Sequence, residues 1–293
     1  MATLRQLKDR VRSLRNTQQI TRAMKMVAGA KIRRAEAAMR AARPYASAIG
    51  AALVELAKTG GARHPLLERR ELKTTGILLM TADKGLAGAF NSNLVRAALG
   101  IARKALEPRL YLVGTKGRVQ LRSTAYPIVA DWPLQSTPFV ELAREVSRRV
   151  CDDFLAGTVD EVTLVSSRFV STIVQRPTSL ALLPISPPGV EEEAGAASAG
   201  TEKPGLRNAF EFEPDAGAVL AALLPKYLEF TIFQALLETQ ASEFAARLIA
   251  MTNATDNAGK LIDELTLVMN KTRQAAITKE ILEIVGGAEA LKG

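Results

Sequence analysis

Metal-ligating and nucleophilic side chains are scarce in this sequence. Among 293 residues it has one cysteine, Cys151, and one histidine, His64. A single cysteine cannot form an internal disulfide, and neither residue has a Cys or His neighbour at the spacing of a zinc site. No Ser-His-Asp or Cys-His arrangement is available, and the carboxylates form no cluster typical of acid–base chemistry. We therefore expect no catalytic residue, metal site or cofactor, with Cys151 structural and His64 in a loop.

Long apolar runs are also absent. No stretch approaches 18 uninterrupted apolar residues, so the sequence predicts no membrane span. The first thirty residues alternate basic and apolar side chains and lack the apolar core of a signal peptide. We expect the chain to act in the compartment where it is made. Its composition, 47% hydrophobic and 24% charged, excludes wholesale disorder.

Positive charge is concentrated near the N-terminus. Residues 1–43 contain twelve Lys or Arg against Asp9 and Glu36, a local net charge of +10, whereas the whole chain carries +9. Such a segment indicates an acidic partner, which could be nucleic acid, anionic lipid or an acidic protein surface. The segment has no aromatic residue for stacking on bases or for anchoring in a membrane surface. A basic coiled-coil protein that binds nucleic acid nevertheless stays open as an alternative.

The N-terminal segment carries a heptad pattern. Apolar or small residues recur at three-four spacing over residues 4–42, which predicts a helix over 3–58. The apolar stripe is interrupted at Gln18, Thr21 and Lys25 and shifts to a neighbouring stripe of the helix. We therefore expect the helix to change partner at this point.

The C-terminal third repeats the pattern. A three-four series runs over residues 244–276 and predicts a helix over 226–285 that ends at the glycine pair 286–287. At 1.5 Å per residue, the two terminal helices would be about 84 and 90 Å long. Two helices of matching length at opposite ends of a chain are best buried against each other, so we expect an antiparallel coiled coil.

The middle of the chain alternates strand-like and helix-like segments. Residues 76–81 form a short apolar run of the type buried in a parallel sheet, and Asn91 is placed to cap the helix that follows. This alternation predicts a Rossmann-like α/β globular domain. The expected strands are 76–81, 110–114, 128–130, 161–166 and 169–174, and the expected helices are 91–106 and 138–156.

A glycine-containing turn over residues 81–91 follows the first strand, where α/β domains often bind phosphate. It contains neither G-x-G-x-x-G nor G-x-x-x-x-G-K-[ST], and residues 114–117 fail the same tests. We therefore favour a tight turn with a contact surface over a nucleotide site. A small α/β nucleotide enzyme with coiled-coil arms remains a third alternative.

Three stretches of the chain resemble the γ subunit of F-type ATP synthases. They are residues 16–28 (NTQQITRAMKMVA), the turn over 81–91 (TADKGLAGAFN), and the tail at 254–258 (ATDNA) and 270–280 (NKTRQAAITKE). The resemblance covers nearly the whole chain, in order. It implies an N-terminal coiled-coil helix over 1–60, an α/β globular domain over 72–186, an exposed loop and foot segment over 187–213, and a C-terminal coiled-coil helix over 214–293.

The resemblance also implies a function. The chain would be the noncatalytic central rotor stalk of the proton-translocating F-type ATP synthase, coupling rotation of the membrane c ring to conformational cycling of the catalytic β subunits. Its partners would be the α and β subunits around the coiled coil, the ε subunit and the c ring, with no lipid span and no nucleic acid. It would lie on the cytoplasmic face of the bacterial plasma membrane.

The resemblance further implies two sets of contact residues. Those facing the stator would be Met24, Lys25, Arg273, Gln274 and Thr278. Those at the foot of the rotor would be Asp83, Lys84, Gly85, Phe210, Phe212 and Glu213.

Overall fold

The computed structural model of the chain describes residues 3–58, 64–135, 137–186 and 215–290. The expected loop and foot segment over 187–213, with Phe210, Phe212 and Glu213, lies outside the described residues. Within them the elements follow one another from the N-terminal helix to the C-terminal helix. They are α1 (Leu4–Lys58), a short 3-10 helix (Pro65–Leu67), β1 (Thr74–Met80), α2 (Phe90–Ala102), β2 (Glu107–Val113), α3 (Thr115–Leu121), β3 (Ile128–Trp132), α4 (Phe139–Leu155), β4 (Glu161–Phe169), β5 (Gln175–Leu183) and α5 (Ala216–Ala290).

The described strands form one mixed sheet in the order β3-β2-β1-β4-β5. β1 pairs in parallel with both β2 and β4, β2 pairs in parallel with β3, and β5 runs antiparallel to β4 at the edge. All seven residues of β1 are buried, as expected for the central strand of a sheet covered on both faces. Leu78 lies opposite Tyr111 in β2 and Leu164 in β4.

Side chains alternate between two apolar cores, one on each face of the sheet. Leu78 and Met80 of β1 point into a core shared with α4 and with parts of α1 and α5. Ile77 and Leu79 point into a second core with α2. This period-two alternation explains why an uninterrupted apolar strand fits here, because neither face of β1 meets water. The predicted α/β domain is confirmed.

Two predicted details of this domain are wrong. The strand expected over 169–174 is a turn, in which the Val170 N–H donates to the Val174 carbonyl at 3.3 Å, and the strand follows it as β5. β-branched residues favoured a strand at 170–174, but Ser171 Oγ accepts hydrogen bonds from two backbone N–H groups and closes the turn instead. β5 contains Pro177, which is tolerated because β5 is an edge strand. The helix expected over 91–106 also ends earlier, at Ala102.

The chain folds as two compact units, each of which receives part of α1 and part of α5. The first unit combines Met1–Gly29 with Arg247–Gly293, and the second is Ala30–Ala246. In the second unit the two helices run antiparallel. The Tyr45 and Phe230 rings lie 4.7 Å apart, and Lys31 Nζ lies 5.2 Å from the ring of Phe244, so positions rise along α1 as they fall along α5.

The bounds of α5 differ from the prediction at both ends. α5 begins at Ala216, nine residues before the proline that it contains at Pro225. Leu220, Leu224 and Leu228 are buried at helical spacing, and this burial stabilises the helix across the proline. At the other end the glycine pair 286–287 stays helical, although glycine often ends a helix by adopting a left-handed conformation.

By length and composition α5 is also able to cross a membrane. It contains an 18-residue window with a mean hydropathy of 1.4, of which 22% is buried. One such helix is weak support for a span, because helices of a protein core pass the same test. The absence of a lipid span therefore stays a prediction.

Candidate functional site: helix pair and turn after β1

In the first unit α1 and α5 pack along a seam of small and apolar residues. On α1 the buried positions include Leu7, Val11 and Ala28, and on α5 they include Ala258 and Ile262. Each set recurs at three-four spacing, which keeps one face of each helix turned toward the other. The predicted pairing of the terminal helices is confirmed.

The expected change of partner at Gln18 and Thr21 is wrong. Both residues stay in the seam, and Thr21 is buried. Thr255 Oγ1 lies 2.8 Å from Thr21 Oγ1, and Gln18 Nε2 donates to the Thr255 carbonyl at 3.4 Å. Gln18 also lies 3.1 Å from the position that a Cβ would take on Gly259, so numbering rises on one helix as it falls on the other. The seam continues because hydrogen bonds replace apolar contacts at this level.

Met24 and Lys25 follow this polar level on α1, and both are half-buried. The apolar side chains around them point away from the seam: Ile20, Met26 and Val27 are 61%, 66% and 56% exposed. A neighbouring apolar stripe is therefore present, as the sequence indicated. In this unit it faces solvent and does not pack on α5.

Arg273, Gln274 and Thr278 lie on the last turns of α5 and are all exposed. Thr278 Oγ1 donates to the Gln274 carbonyl at 3.0 Å, so its hydroxyl is held within the helix. Every residue of α5 from 273 to 287 is exposed. Counted from Thr255 at 1.5 Å per residue, these positions begin about 30 Å along the helix axis from Met24. The residues expected to face the stator thus fall at two separate levels of the same unit.

Asp83, at the C-terminal end of β1 in the second unit, is anchored in the turn. Asp83 Oδ1 accepts from the Thr115 N–H at 2.8 Å and from Thr115 Oγ1 at 2.9 Å. Asp83 Oδ2 accepts from the Gln135 N–H at 3.0 Å. One carboxylate therefore ties together the segments that follow β1, β2 and β3. Beside it Lys84 is exposed and Gly85 is half-buried.

The backbone around this turn is crowded. Gly114 has φ 95°, and a Cβ placed there would overlap the carbonyl oxygen of Thr81. Thr81 Oγ1 accepts from the Gly117 N–H at 2.8 Å. Asn91 does not cap α2 as predicted. Asn91 lies inside α2 and is buried against the turn, where its Oδ1 accepts from the Ala82 N–H at 2.9 Å.

These contacts oppose a phosphate site at the start of α3. The N–H groups of Thr115, Lys116 and Gly117 bond to Asp83 Oδ1, the Ala82 carbonyl and Thr81 Oγ1, respectively. Amides that cradle a phosphate must be open to it, and the Asp83 carboxylate would repel an anion. The geometry therefore disfavours a phosphate site at the start of α3.

Two comparisons of sequence decide the family. Residues 3–291 match the family described as ATP synthase. The chain is 48% identical to the ATP synthase gamma chain of Desulforamulus reducens and 45% identical to that of Pelotomaculum thermopropionicum, each over 100% of both chains. The chain belongs to the ATP synthase gamma-chain family.

Solved structures share the fold. A chain of the Euglena gracilis mitochondrial ATP synthase, in an OSCP/F1/c-ring assembly in rotational state 3, matches with a TM-score of 0.67 at 20% identity, over 98% of this chain and 94% of that chain. A chain from the central stalk and c ring of the Tetrahymena thermophila mitochondrial ATP synthase matches with a TM-score of 0.61 at 23% identity, over 80% and 99%.

His64 and Cys151, whose residue types are common in catalysis, both lie in surroundings that favour a structural role. His64 Nδ1 accepts from the Leu66 N–H at 3.2 Å and so begins the 3-10 helix, and burial lowers the pKa of the imidazole. Burial, with Asp152 nearby, raises the pKa of the Cys151 thiol to about 11, which disfavours the reactive thiolate. Among the residues that the structure describes, no group of three or more His, Cys, Asp or Glu could hold a metal ion.

A polar cluster around the buried Tyr111 of the second unit escaped the sequence reasoning. The Tyr111 hydroxyl donates to Asp153 Oδ2 at 2.7 Å, and Arg149 Nε donates to the same oxygen at 2.9 Å. Burial first, and then the Asp153 carboxylate, raise the pKa of Tyr111 well above its usual range. The i,i+4 spacing of Arg149 and Asp153 was visible in the sequence, but their meeting with a tyrosine on β2 was not.

Proposed function

We propose that this chain is the central rotor stalk subunit of an F-type ATP synthase and has no catalytic site of its own. It couples rotation of the membrane c ring to conformational cycling of the catalytic β subunits. The observation that carries the proposal is the antiparallel helix pair of the first unit, whose seam is closed and whose outer faces are exposed. The full-length likeness to gamma chains supports it. The division into segments 1–60, 72–186, 187–213 and 214–293 belongs to the same proposal.

The exposed face of α1 suits a surface that turns inside a ring. Rotation drives a catalytic partner only if the shaft makes different contacts in different states, because a partner bound equally in all states shifts nothing. Exposed ion pairs are worth about 0–1 kcal/mol each and are screened by salt, so they attract without locking one orientation. The exposed basic residues of α1 in the first unit are Arg5, Lys8, Arg10, Arg12, Arg15 and Arg22.

We assign the α and β subunits as partners of Met24, Lys25, Arg273, Gln274 and Thr278. The two levels of the helix pair, about 30 Å apart at 1.5 Å per residue, would meet the ring at two heights. At the level of Arg273, Gln274 and Thr278 the partner would cover side chains of α5 that are exposed here. At the level of Met24 and Lys25 it would cover the apolar stripe beside Met24.

We assign the ε subunit and the c ring as partners of the turn that holds Asp83, Lys84 and Gly85, together with Phe210, Phe212 and Glu213. Three hydrogen bonds to Asp83 make this turn a fixed platform, and Leu86 beside it is 64% exposed. A rigid turn that presents an apolar side chain suits a contact that must transmit torque. The complex would then be peripheral on the cytoplasmic face of the bacterial plasma membrane, with a proton as the coupled ion.

The test is whether the chain rotates within an ATPase. Membranes washed at low salt would be solubilised and the complex purified through a tag on this chain. A bead would be attached to Leu106→Cys, since Leu106 is 80% exposed, in a Cys151→Ala background. We expect co-purification of a multisubunit ATPase and rotation of the bead when ATP is added.

Three outcomes would contradict the proposal. They are purification of the chain without an ATPase, a bead that stays still while the complex hydrolyses ATP, and ATP hydrolysis by the isolated chain. The last of these would favour the α/β nucleotide enzyme. The unmutated chain treated with the same beads is the matched control. It should bind few beads, because the raised pKa of Cys151 keeps labelling of this thiol low.

A further inference from the structure

We propose that Gln18, Thr21, Thr255 and Gly259 fix the register of the helix pair in the first unit. They are positioning residues: they determine which part of α1 stands beside which part of α5. Their consequence for coupling rests on the proposed function, since register determines the relative height of the two contact levels. The register itself does not depend on that function.

The hydroxyl pair is buried in a seam that is otherwise small and apolar. Thr21 and Thr255 are both 8% exposed, and their Oγ1 atoms lie 2.8 Å apart. Each hydroxyl also has a carbonyl of its own helix in reach: Thr21 Oγ1 lies 3.1 Å from the Gln18 carbonyl, and Thr255 Oγ1 lies 2.7 Å from the Met251 carbonyl. One hydroxyl can therefore donate across the pair while the other donates within its helix. Only the bond across the pair depends on the register, because each hydroxyl keeps the carbonyl of its own helix in any register.

Gln18 and Gly259 add a steric requirement. The Gln18 carboxamide reaches across the seam to the Thr255 carbonyl, and its nitrogen lies 3.1 Å from where a Cβ of residue 259 would be. A larger side chain at that place would have to displace the carboxamide. Glycine is a poor helix former, so its presence in the interior of α5 needs a reason. Glycine leaves room for Gln18 here, since an added Cβ would require the carboxamide to move by a few tenths of an ångström.

Stability alone does not explain this cluster. Replacing both partners of a buried hydrogen bond by apolar groups of the same shape is often neutral or stabilising. A polar residue at one seam position of a coiled coil instead selects a register, because other registers leave it without its partner.

A shift of one heptad, about 10 Å along the axis, shows the effect. Thr21 would face Ile262 or Leu248 in place of Thr255. Gln18 would face Thr266 or Thr252 in place of Gly259. The apolar residues of the seam accept either register, since small and aliphatic side chains recur every heptad. The hydrogen bonds that the polar cluster makes across the pair, by contrast, form only in the native register.

Cysteine cross-linking of the full chain tests the register directly. In a Cys151→Ala background, the pair Val11→Cys and Leu265→Cys reports the native register. Val11 lies ten residues before Thr21, and Leu265 lies ten residues after Thr255 on the antiparallel helix. Val11→Cys with Ala258→Cys or with Thr272→Cys reports a slip of one heptad in either direction. A disulfide forms only when the Cβ atoms come within about 4.5 Å, so the three pairs are distinguishable.

The cross-linking is repeated with Thr21→Val and Thr255→Val together, and with Thr21→Ser and Thr255→Ser together. Valine keeps the shape of threonine without the hydroxyl, and serine keeps the hydroxyl. We expect the ratio of slipped to native cross-links to rise about tenfold with valine and to stay unchanged with serine. An unchanged ratio in the valine variant, with helix content equal by circular dichroism, would overturn the proposal.

A second measurement separates this inference from the rotor assignment. In the assembled ATPase the valine variant should pump fewer ions per ATP hydrolysed than the unmutated chain. The serine variant should pump as many as the unmutated chain. Slipped cross-links with normal coupling would refute the consequence for coupling and leave the register role intact. Failure of the chain to assemble with an ATPase would refute the rotor role, whereas the cross-linking ratios would still decide the register.

Discussion

Replacing Gly114 by alanine should destabilise the second unit strongly. Gly114 joins β2 to α3 with φ 95°, a conformation that L side chains rarely adopt. The added Cβ would overlap the Thr81 carbonyl oxygen, and the backbone there cannot move freely. The Gly114 N–H donates to the Trp132 carbonyl at 2.8 Å, and the Thr81 N–H donates to the Val113 carbonyl at 2.7 Å. Relief of the overlap must therefore disturb bonds that hold β1, β2 and β3 together at the contact turn.

The size of the effect follows from two terms. A non-glycine residue held in a sparsely populated backbone region costs about 1–3 kcal/mol. Forcing an extra carbon into a packed site costs about 1–3 kcal/mol more. We expect the free energy of unfolding to fall by about 2–6 kcal/mol, a large part of the roughly 5–15 kcal/mol that stabilises a typical protein.

The assay is urea denaturation of the full chain followed by tryptophan fluorescence. Trp132 is the one tryptophan in the sequence, it is buried in β3, and its carbonyl bonds to Gly114 itself. Gly100→Ala is the matched control, because Gly100 lies in α2 with nothing within 4 Å of an added Cβ. The control should gain about 0.5–1 kcal/mol. A Gly114→Ala variant within about 1 kcal/mol of the unmutated chain would refute the reasoning about strain.

Three further predictions concern single carboxylates and the shaft contact. Asp83→Asn removes one of the two acceptor oxygens that bind Thr115 and Gln135, so the same urea assay should show a loss of about 1–2 kcal/mol, while the exposed Lys84→Ala changes stability by less than about 0.5 kcal/mol. Hydrogen bonds from the backbone N–H groups of Thr74 and Lys73 hold the pKa of Asp160 below its usual value. The stabilisation is therefore complete above the ordinary Asp pKa of about 3.9 and is lost as pH falls through the lowered value. In the Asp160→Asn variant the urea midpoint should therefore fall less steeply as the pH is lowered. An equally steep fall would contradict this. Met24→Lys should lower ion pumping per ATP hydrolysed in the assembled complex without preventing assembly, since it adds a charge at the proposed stator contact. Leu106→Lys is the control, and an unchanged ratio for Met24→Lys would count against the assignment.

Several parts of the fold were predictable from local pattern. The three-four series at both ends indicated two long helices, and β1 was evident because a short apolar run between turn residues fits a central strand. Most of the middle elements also followed the sequence, but α3 was not predicted and β5 lies after the segment expected to form the last strand. These features depend on residues close to one another in the chain, so their physical cause is readable without knowing the fold.

The contents of the seam were harder to predict. Gln18 and Thr21 broke the apolar pattern, and nothing in their neighbourhood indicated a partner that lies 237 and 234 residues away, respectively. Their place was decided when Thr255 of α5 supplied a hydroxyl at the same level. Asn91 showed the same dependence in the second unit, where a buried amide of the turn bonds to its side chain and leaves the helix end without it.

Edge pairing and helix ends were also decided by tertiary structure. Residues 170–174 are rich in β-branched side chains, yet the strand is β5, because its backbone pairs with β4 and its proline lies in an edge strand. Gly286 and Gly287 permit a helix to end but do not require it. The sequence by itself determined that the chain has two long amphipathic helices around an α/β domain and few groups for catalysis, since periodicity and composition act locally. The tertiary structure decided which polar groups are buried and with which partners, because that depends on contacts between residues far apart in the chain.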